Sequence, residues 1–170
     1  MKYPRFLQKN NTIGLVSPSF GCNEDPYATR LESAILTLKT KGFAIKEGKN
    51  IRSYTKVASA GAKERAREFM LTYLDNSVDF VSSVGGGERM IEILDYIDFE
   101  AIKKAKPKYF MGYSDNTVLT FTLTTLCDIA SIYYVHTPDF GMKPWGKEIT
   151  NGFDIITGTK NKQTAYTEYE

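Results

Sequence analysis

The sequence predicts an α/β fold, a three-layer α/β/α arrangement around a mainly parallel, flavodoxin-like sheet. Three observations predict it. Short apolar runs alternate with amphipathic helical stretches in the order β-α-β-α-β-α-β-α-β. The 170 residues, 42% hydrophobic and 25% charged, suffice for one α/β domain with its own core. Finally, Ser17, Gly86, Ser114 and His136 all fall where strands end, and such sheets bind ligands at the carboxyl ends of their strands.

Each element has its own signal. Ile13 to Val16 is a short apolar strand that stops at Ser17-Pro18-Ser19. Leu31, Ala34, Ile35 and Leu38 follow the i, i+3, i+4, i+7 spacing of a helix, which ends at Lys41-Gly42. Phe43 to Lys46 gives a second strand. A polar loop from Ser53 to Gly61 leads to a second helix carrying Ala66, Phe69, Met70 and Tyr73, closed by Asp75-Asn76-Ser77. The third strand starts at Val78 and runs into Val84-Gly85-Gly86-Gly87. A helix with Met90, Ile93, Leu94 and Ile97 on one face is expected next, then a fourth strand from Tyr109 to Tyr113. The basic residues Lys103, Lys104, Lys106 and Lys108 read as surface loop between them. Val118 to Cys127 is the next helix, and Ser131 to Val135 the fifth strand.

Bulk properties exclude several classes. A net charge of +2, with Lys and Glu interspersed, does not suggest a nucleic-acid partner. No run approaches the ~20 apolar residues of a membrane-spanning helix. The basic N-terminal residues lack the apolar core of a secretory signal, so the cytoplasm is the expected compartment. Cys22 and Cys127 lie far apart and show neither a disulfide framework nor metal-ligand spacing.

The chemistry concentrates on Lys108-Tyr109-Phe110-Met111-Gly112-Tyr113-Ser114-Asp115-Asn116-Thr117. A buried strand stops at a glycine and turns sharply into a helix, with the serine at the turn. That is how an α/β hydrolase exposes a nucleophilic hydroxyl. The same residues also suit simple helix capping, since Asp115 and Asn116 can take up free backbone N–H groups. The Gly85–Gly87 turn admits two readings as well: N–H groups aimed at a ligand, or a turn that needs glycine for its dihedrals. A phosphate cradle lacks its usual glycine pattern here. His136, the sole histidine, follows a strand that neighbours the Ser114 strand, but no well-placed carboxylate accompanies it. It reads as a space-filling residue. Ser17 and Ser19 fit either substrate contact or turn chemistry. Glu88 and Arg89 read as an ordinary helix start, and Trp145 as a hydrophobic anchor or interface residue.

The Ser17-Pro18-Ser19, Gly85-Gly86-Gly87 and Gly112-Tyr113-Ser114-Asp115-Asn116-Thr117 turns together resemble the serine LD-carboxypeptidase family. That family includes muramoyl-tetrapeptide carboxypeptidases and microcin C immunity peptidases. Tyr96 to Phe99 and Ala130 to Met142 resemble its microcin-immunity branch. The resemblance implies Ser114 as nucleophile, with oxyanion donors from the backbone of Asp115 and of Gly86 or Gly87. It implies no metal or organic cofactor. It also implies that a glutamate and a histidine complete the triad from a separate C-terminal domain, and His136 does not match that histidine. On this basis residues 1–150 form the nucleophile-bearing domain, while residues 151–170 form the last helix and the start of a linker. The 170 residues alone are expected to lack useful peptidase activity. The expected partners are a small peptide or peptidyl-conjugate substrate, the C-terminal domain and a possible second copy of the chain, with Phe140, Met142 and Trp145 forming an exposed patch. A different class of function stays open: a non-catalytic flavodoxin-like module that holds an anionic small ligand on the Gly85–Gly87 turn.

Overall fold

The computed structural model describes residues 1–167. Five parallel strands, β1 (Thr12–Val16), β2 (Ala44–Glu47), β3 (Phe80–Ser83), β4 (Tyr109–Gly112) and β5 (Ile132–Tyr133), form one sheet in the order β2-β1-β3-β4-β5. Side chains alternate across each strand. Ile13, Leu15, Phe80, Tyr109 and Met111 enter one core, whereas Val16, Val81 and Phe110 enter the other. Helices α1 (Tyr27–Thr40) and α5 (Lys147–Ile156) cover the first face. Helices α2 (Ala62–Leu74), α3 (Phe99–Lys104) and α4 (Thr117–Cys127) cover the second. The predicted three-layer fold is therefore the observed one. All four apolar positions expected on the first helix, Leu31, Ala34, Ile35 and Leu38, are buried.

Three local readings need correction. The single helix expected after β3 is a 3₁₀ segment, Met90–Tyr96, followed by the separate α3. The Asp98 carboxylate, accepting from Ala101 N–H at 2.8 Å, starts that new helix. Lys108 is not surface loop but fully buried. Its stem lies under α2, and its ammonium donates to Tyr73 O; burial lowers its pKa. The fifth strand is short because it pairs with β4 only at Met111 and Gly112. Just beyond it, Tyr134 is drawn to the Glu148 carbonyl of α5, and His136 to the turn after β4.

The expected patch also changes. Phe140 is 2% exposed and packs in the core beneath α1, while Met142 and Trp145 are half-buried. Trp145 donates its indole N–H to Phe140 O at 2.9 Å and stacks its ring near Phe140 and Phe153. It is an anchor. Helix α5 begins at Lys147 and carries through to Ile156; Glu168, Tyr169 and Glu170 lie outside the described residues. Among the described residues no helix is long and apolar enough to cross a membrane.

The strand order reverses between β1 and β3, which leaves a crevice at their carboxyl ends, and β4 ends beside it. The three turns singled out above meet at that edge.

Candidate active site

Strand β4 is buried along its whole length and ends at Gly112. A side chain there would collide with Asn116, since a Cβ would lie 2.7 Å from its Cγ, so the chain can fold back tightly only past a glycine. Tyr113 is extended, and Ser114 then adopts φ +60, the left-handed region. For a serine this conformation costs on the order of 1 kcal/mol, and such strain concentrates at functional turns. The result is an exposed serine held at a strand-to-helix corner. Among the described residues, no carboxylate or imidazole makes a hydrogen bond to its Oγ.

The Gly85–Gly87 turn faces this serine. A Cβ on Gly86 would sit 3.2 Å from Ser114 Cβ and 3.4 Å from its Oγ, so the glycine backbone stands directly against the hydroxyl. Gly87 has φ +144, and a Cβ there would lie 2.2 Å from Ser19 Oγ, so only glycine fits. Gly86 O accepts from Phe20 N–H at 2.9 Å, which anchors the turn by its carbonyl. Among the described residues the N–H groups of Gly86 and Gly87 have no acceptor. Asp115 N–H belongs to the first turn of a helical segment, where backbone donors have no intrahelical partner.

Buried and half-buried charges hold the turns in place. Glu68, on α2, accepts from Ser17 N–H at 2.8 Å and Ser17 Oγ at 2.9 Å, and its other oxygen takes Asn50 N–H. Arg65, one turn earlier, is fully buried and donates to Ala60 O, Pro18 O, Arg89 O and the Glu92 carboxylate at 2.7–2.9 Å. Asp115 does not cap its own helix. Its Oδ2 accepts from Ser19 Oγ at 2.6 Å, Arg89 N–H at 3.0 Å and Met90 N–H at 2.9 Å. Nor does Asn116 cap α4; its amide donates to Gly85 O at 3.0 Å and Tyr113 O at 3.1 Å, joining the two turns. Ser17 and Ser19 are thus buried ties rather than substrate contacts, and Arg89 is more than a helix start.

His136 lies within this arrangement. Its ring stacks on Tyr113 with centroids 4.1 Å apart. Nε2 is 3.1 Å from Tyr113 O and 3.0 Å from Asn116 Nδ2. Both Asn116 amide protons already have carbonyl acceptors, which leaves Nε2–H as the donor to Tyr113 O. Asp139 N–H donates to His136 O at 3.1 Å, and the Asp139 carboxylate takes His136 N–H at 3.0 Å. Burial pushes the imidazole down to about 4, so it is neutral at pH 7. The space-filling reading gains a second reason beside shape: Nε2 ties the ring to the turn after β4.

A cavity of about 340 Å³ opens over Ser114, walled by Phe20, Tyr27, Gly86, Tyr113 and His136. It offers an exposed hydroxyl, a glycine backbone pressed against it and free N–H donors nearby. Such a site can hold a carbonyl carbon at Ser114 Oγ and a negative oxygen on backbone donors. The structure brings Ser114 and the Gly86–Gly87 turn together as the sequence leads one to expect, whereas the sequence does not reveal the burial of Arg65 and Glu68 or the side-chain partners of Asp115 and Asn116. The signal was faint: two charged residues, Arg65 and Glu68, immediately preceding the apolar Ala66 and Phe69 on α2.

Comparison with known proteins gives this geometry a context. The family described as the LD-carboxypeptidase N-terminal domain matches residues 13–134. A Bacillus subtilis protein named "Probable murein peptide carboxypeptidase" is 30% identical over 135 residues, 79% of this chain and 40% of that protein. The Microcin C7 self-immunity protein MccF of Escherichia coli is 29% identical over 162 residues, 95% of this chain and 46% of that protein. A solved structure of MccF superposes with a TM-score of 0.83 at 27% identity, covering 98% of this chain and 50% of that one. MccF has also been solved with aspartyl sulfamoyl adenosine and with glutamyl sulfamoyl guanosine. The chain thus spans half or less of the length of these relatives.

Proposed function

The chain belongs to the LD-carboxypeptidase family, and from that premise we propose that it is the nucleophile-bearing part of a serine-type carboxypeptidase. The observation that carries this reading is Ser114: exposed, left-handed at the end of a buried strand, with Gly86 against its hydroxyl. Ser114 Oγ attacks the carbonyl carbon of an amide. The oxyanion accepts from the N–H of Asp115 and that of Gly86 or Gly87, the amine departs with the proton that a base has taken from Oγ, and water releases the acyl group. The substrate class is a cell-wall peptide ending in a D-residue, or an aminoacyl or peptidyl nucleotide conjugate. The names and ligands of the relatives support both.

His136 does not serve as base in this proposal: its Nε2 is tied to Tyr113 O, and among the described residues no hydrogen bond joins the ring to Ser114 Oγ or to a carboxylate. The base and its orienting carboxylate come from outside these 170 residues, on a domain that follows the linker begun after α5. Without them the serine stays protonated at neutral pH, and the rate falls by several orders of magnitude.

The test joins the chain to the C-terminal domain of the B. subtilis relative and exposes it to a fluorophosphonate. Labelling at Ser114, abolished in Ser114→Ala, is the expected result, with the 170 residues alone labelling at least about 1,000-fold more slowly. Rapid labelling or turnover by the chain alone overturns the proposed division of labour. Flavin or nucleotide binding without labelling would favour a ligand-binding module at the β1–β3 crevice.

A further inference from the structure

Asp115 stands next to the serine, yet its carboxylate turns away from its own helix toward the opposite turn. We propose that this side chain is a positioning residue that sets the Gly85–Gly87 donors against Ser114. The inference rests on the serine-peptidase reading above.

One carboxylate oxygen, Oδ2, gathers Ser19 Oγ, Arg89 N–H and Met90 N–H, all within 3.0 Å. The Arg89 carbonyl, on the other side of the same residue, accepts from the buried Arg65 guanidinium at 2.9 Å. The main chain at Arg89 is therefore held between an anion and a cation. It is the exit of the glycine turn, and the entrance is fixed separately by Phe20 N–H on Gly86 O and Asn116 on Gly85 O. Held at both ends, the turn keeps the Gly86 and Gly87 N–H groups free beside the hydroxyl. Ser19 completes the brace, because its hydroxyl touches both the carboxylate and the space that a Gly87 side chain would fill.

The geometry has a consequence for the oxyanion site. One donor is the backbone N–H of Asp115; the other belongs to a turn that the Asp115 side chain holds. A single residue thus couples the two halves of the hole. Charge-assisted hydrogen bonds are short and directional, which suits a site that must hold donors 2.7–3.1 Å from a developing oxyanion. Substitution at Asp115 leaves its own N–H in place, so any effect on chemistry comes from the turn it holds.

Two measurements test this. In the 170-residue chain, amide exchange at Arg89 and Met90 should accelerate roughly tenfold in Asp115→Ala, with distant core amides unchanged. In the chain joined to the relative's C-terminal domain, the maximal rate of Ser114 labelling should fall about 100-fold while the reagent's apparent affinity stays the same. Asp115→Asn, which keeps an acceptor oxygen, should restore part of the rate. Equal labelling by wild type and Asp115→Ala overturns this proposal alone, as does a loss that tracks the urea midpoint. If wild-type Ser114 does not label, the peptidase reading falls and this proposal with it. Should Asp115→Ala fail to fold, Ser19→Ala decides by the same criteria: slower labelling at unchanged affinity and stability supports the brace, and unchanged labelling overturns it.

Discussion

Around Ser114 three turns are held by buried and half-buried charges, whereas between Phe140 and Phe153 the chain is held by rings. In the first region Glu68, Arg65 and Asp115 each satisfy several backbone or hydroxyl groups in fixed directions. In the second, Phe140, Trp145 and Phe153 meet at centroid distances of 5.2–5.9 Å, Phe43 packs edge-on at 6.0 Å, and the Lys41 ammonium rests 4.4 Å above Trp145. Ring contacts tolerate small shifts. Hydrogen bonds to a buried charge do not, and breaking one leaves a desolvated partner behind. The protein uses the directional kind where backbone N–H groups must point at a particular place, and the adaptable kind where a segment only needs to be covered.

Conservative substitutions expose the difference most directly. Arg65→Lys should cost about 3 kcal/mol in urea unfolding, because an ammonium cannot reach Pro18 O, Ala60 O, Arg89 O and Glu92 together. An effect of comparable size is on pH. The His136 imidazole is depressed from 6.5 to about 4 in the folded protein, so the unfolded chain binds more protons between those values. Stability is therefore full above pH 6.5 and is lost as pH falls toward 4, by at most about 1.4 kcal/mol per unit. The Asp139 carboxyl, raised by burial, contributes the opposite slope within the carboxylate range. The comparison is accordingly made against His136→Gln, which should unfold with a flatter acid profile. The smallest effect belongs to the rings: Phe140→Leu should cost about 1 kcal/mol. If Phe140→Leu proves as damaging as Arg65→Lys, the contrast between the two regions collapses.

The contrast also explains what could be read in advance. The stripe Leu31, Ala34, Ile35, Leu38 and the apolar run before Gly112 encode burial by periodicity, and both were legible. So was the Ser114 turn, since Gly112 and a strand-to-helix switch are local signals. Arg65, Glu68 and Lys108 were not, because a charged residue is expected in solvent and its burial depends on acceptors far away in sequence. Phe140 misled in the opposite sense: an aromatic residue near glycine and proline suggested an open patch, yet Gly141 lets that segment pass against α1. The helix after β3 has three-residue spacing from Met90 to Ile93, compatible with either helix type, and only the Asp98 cap reveals where it restarts.

The bonds of Asp115 and Asn116 that link one turn to another join residues 25 to 96 positions apart. No hairpin or helix formed early in folding contains even two of these turns. The loops between them must close before any of these contacts contributes, a cost that local structure does not share. The Gly86 and Gly87 N–H groups therefore come to face Ser114 only once β1, β3 and β4 lie side by side, and a partly folded chain presents a serine with nothing arranged around it.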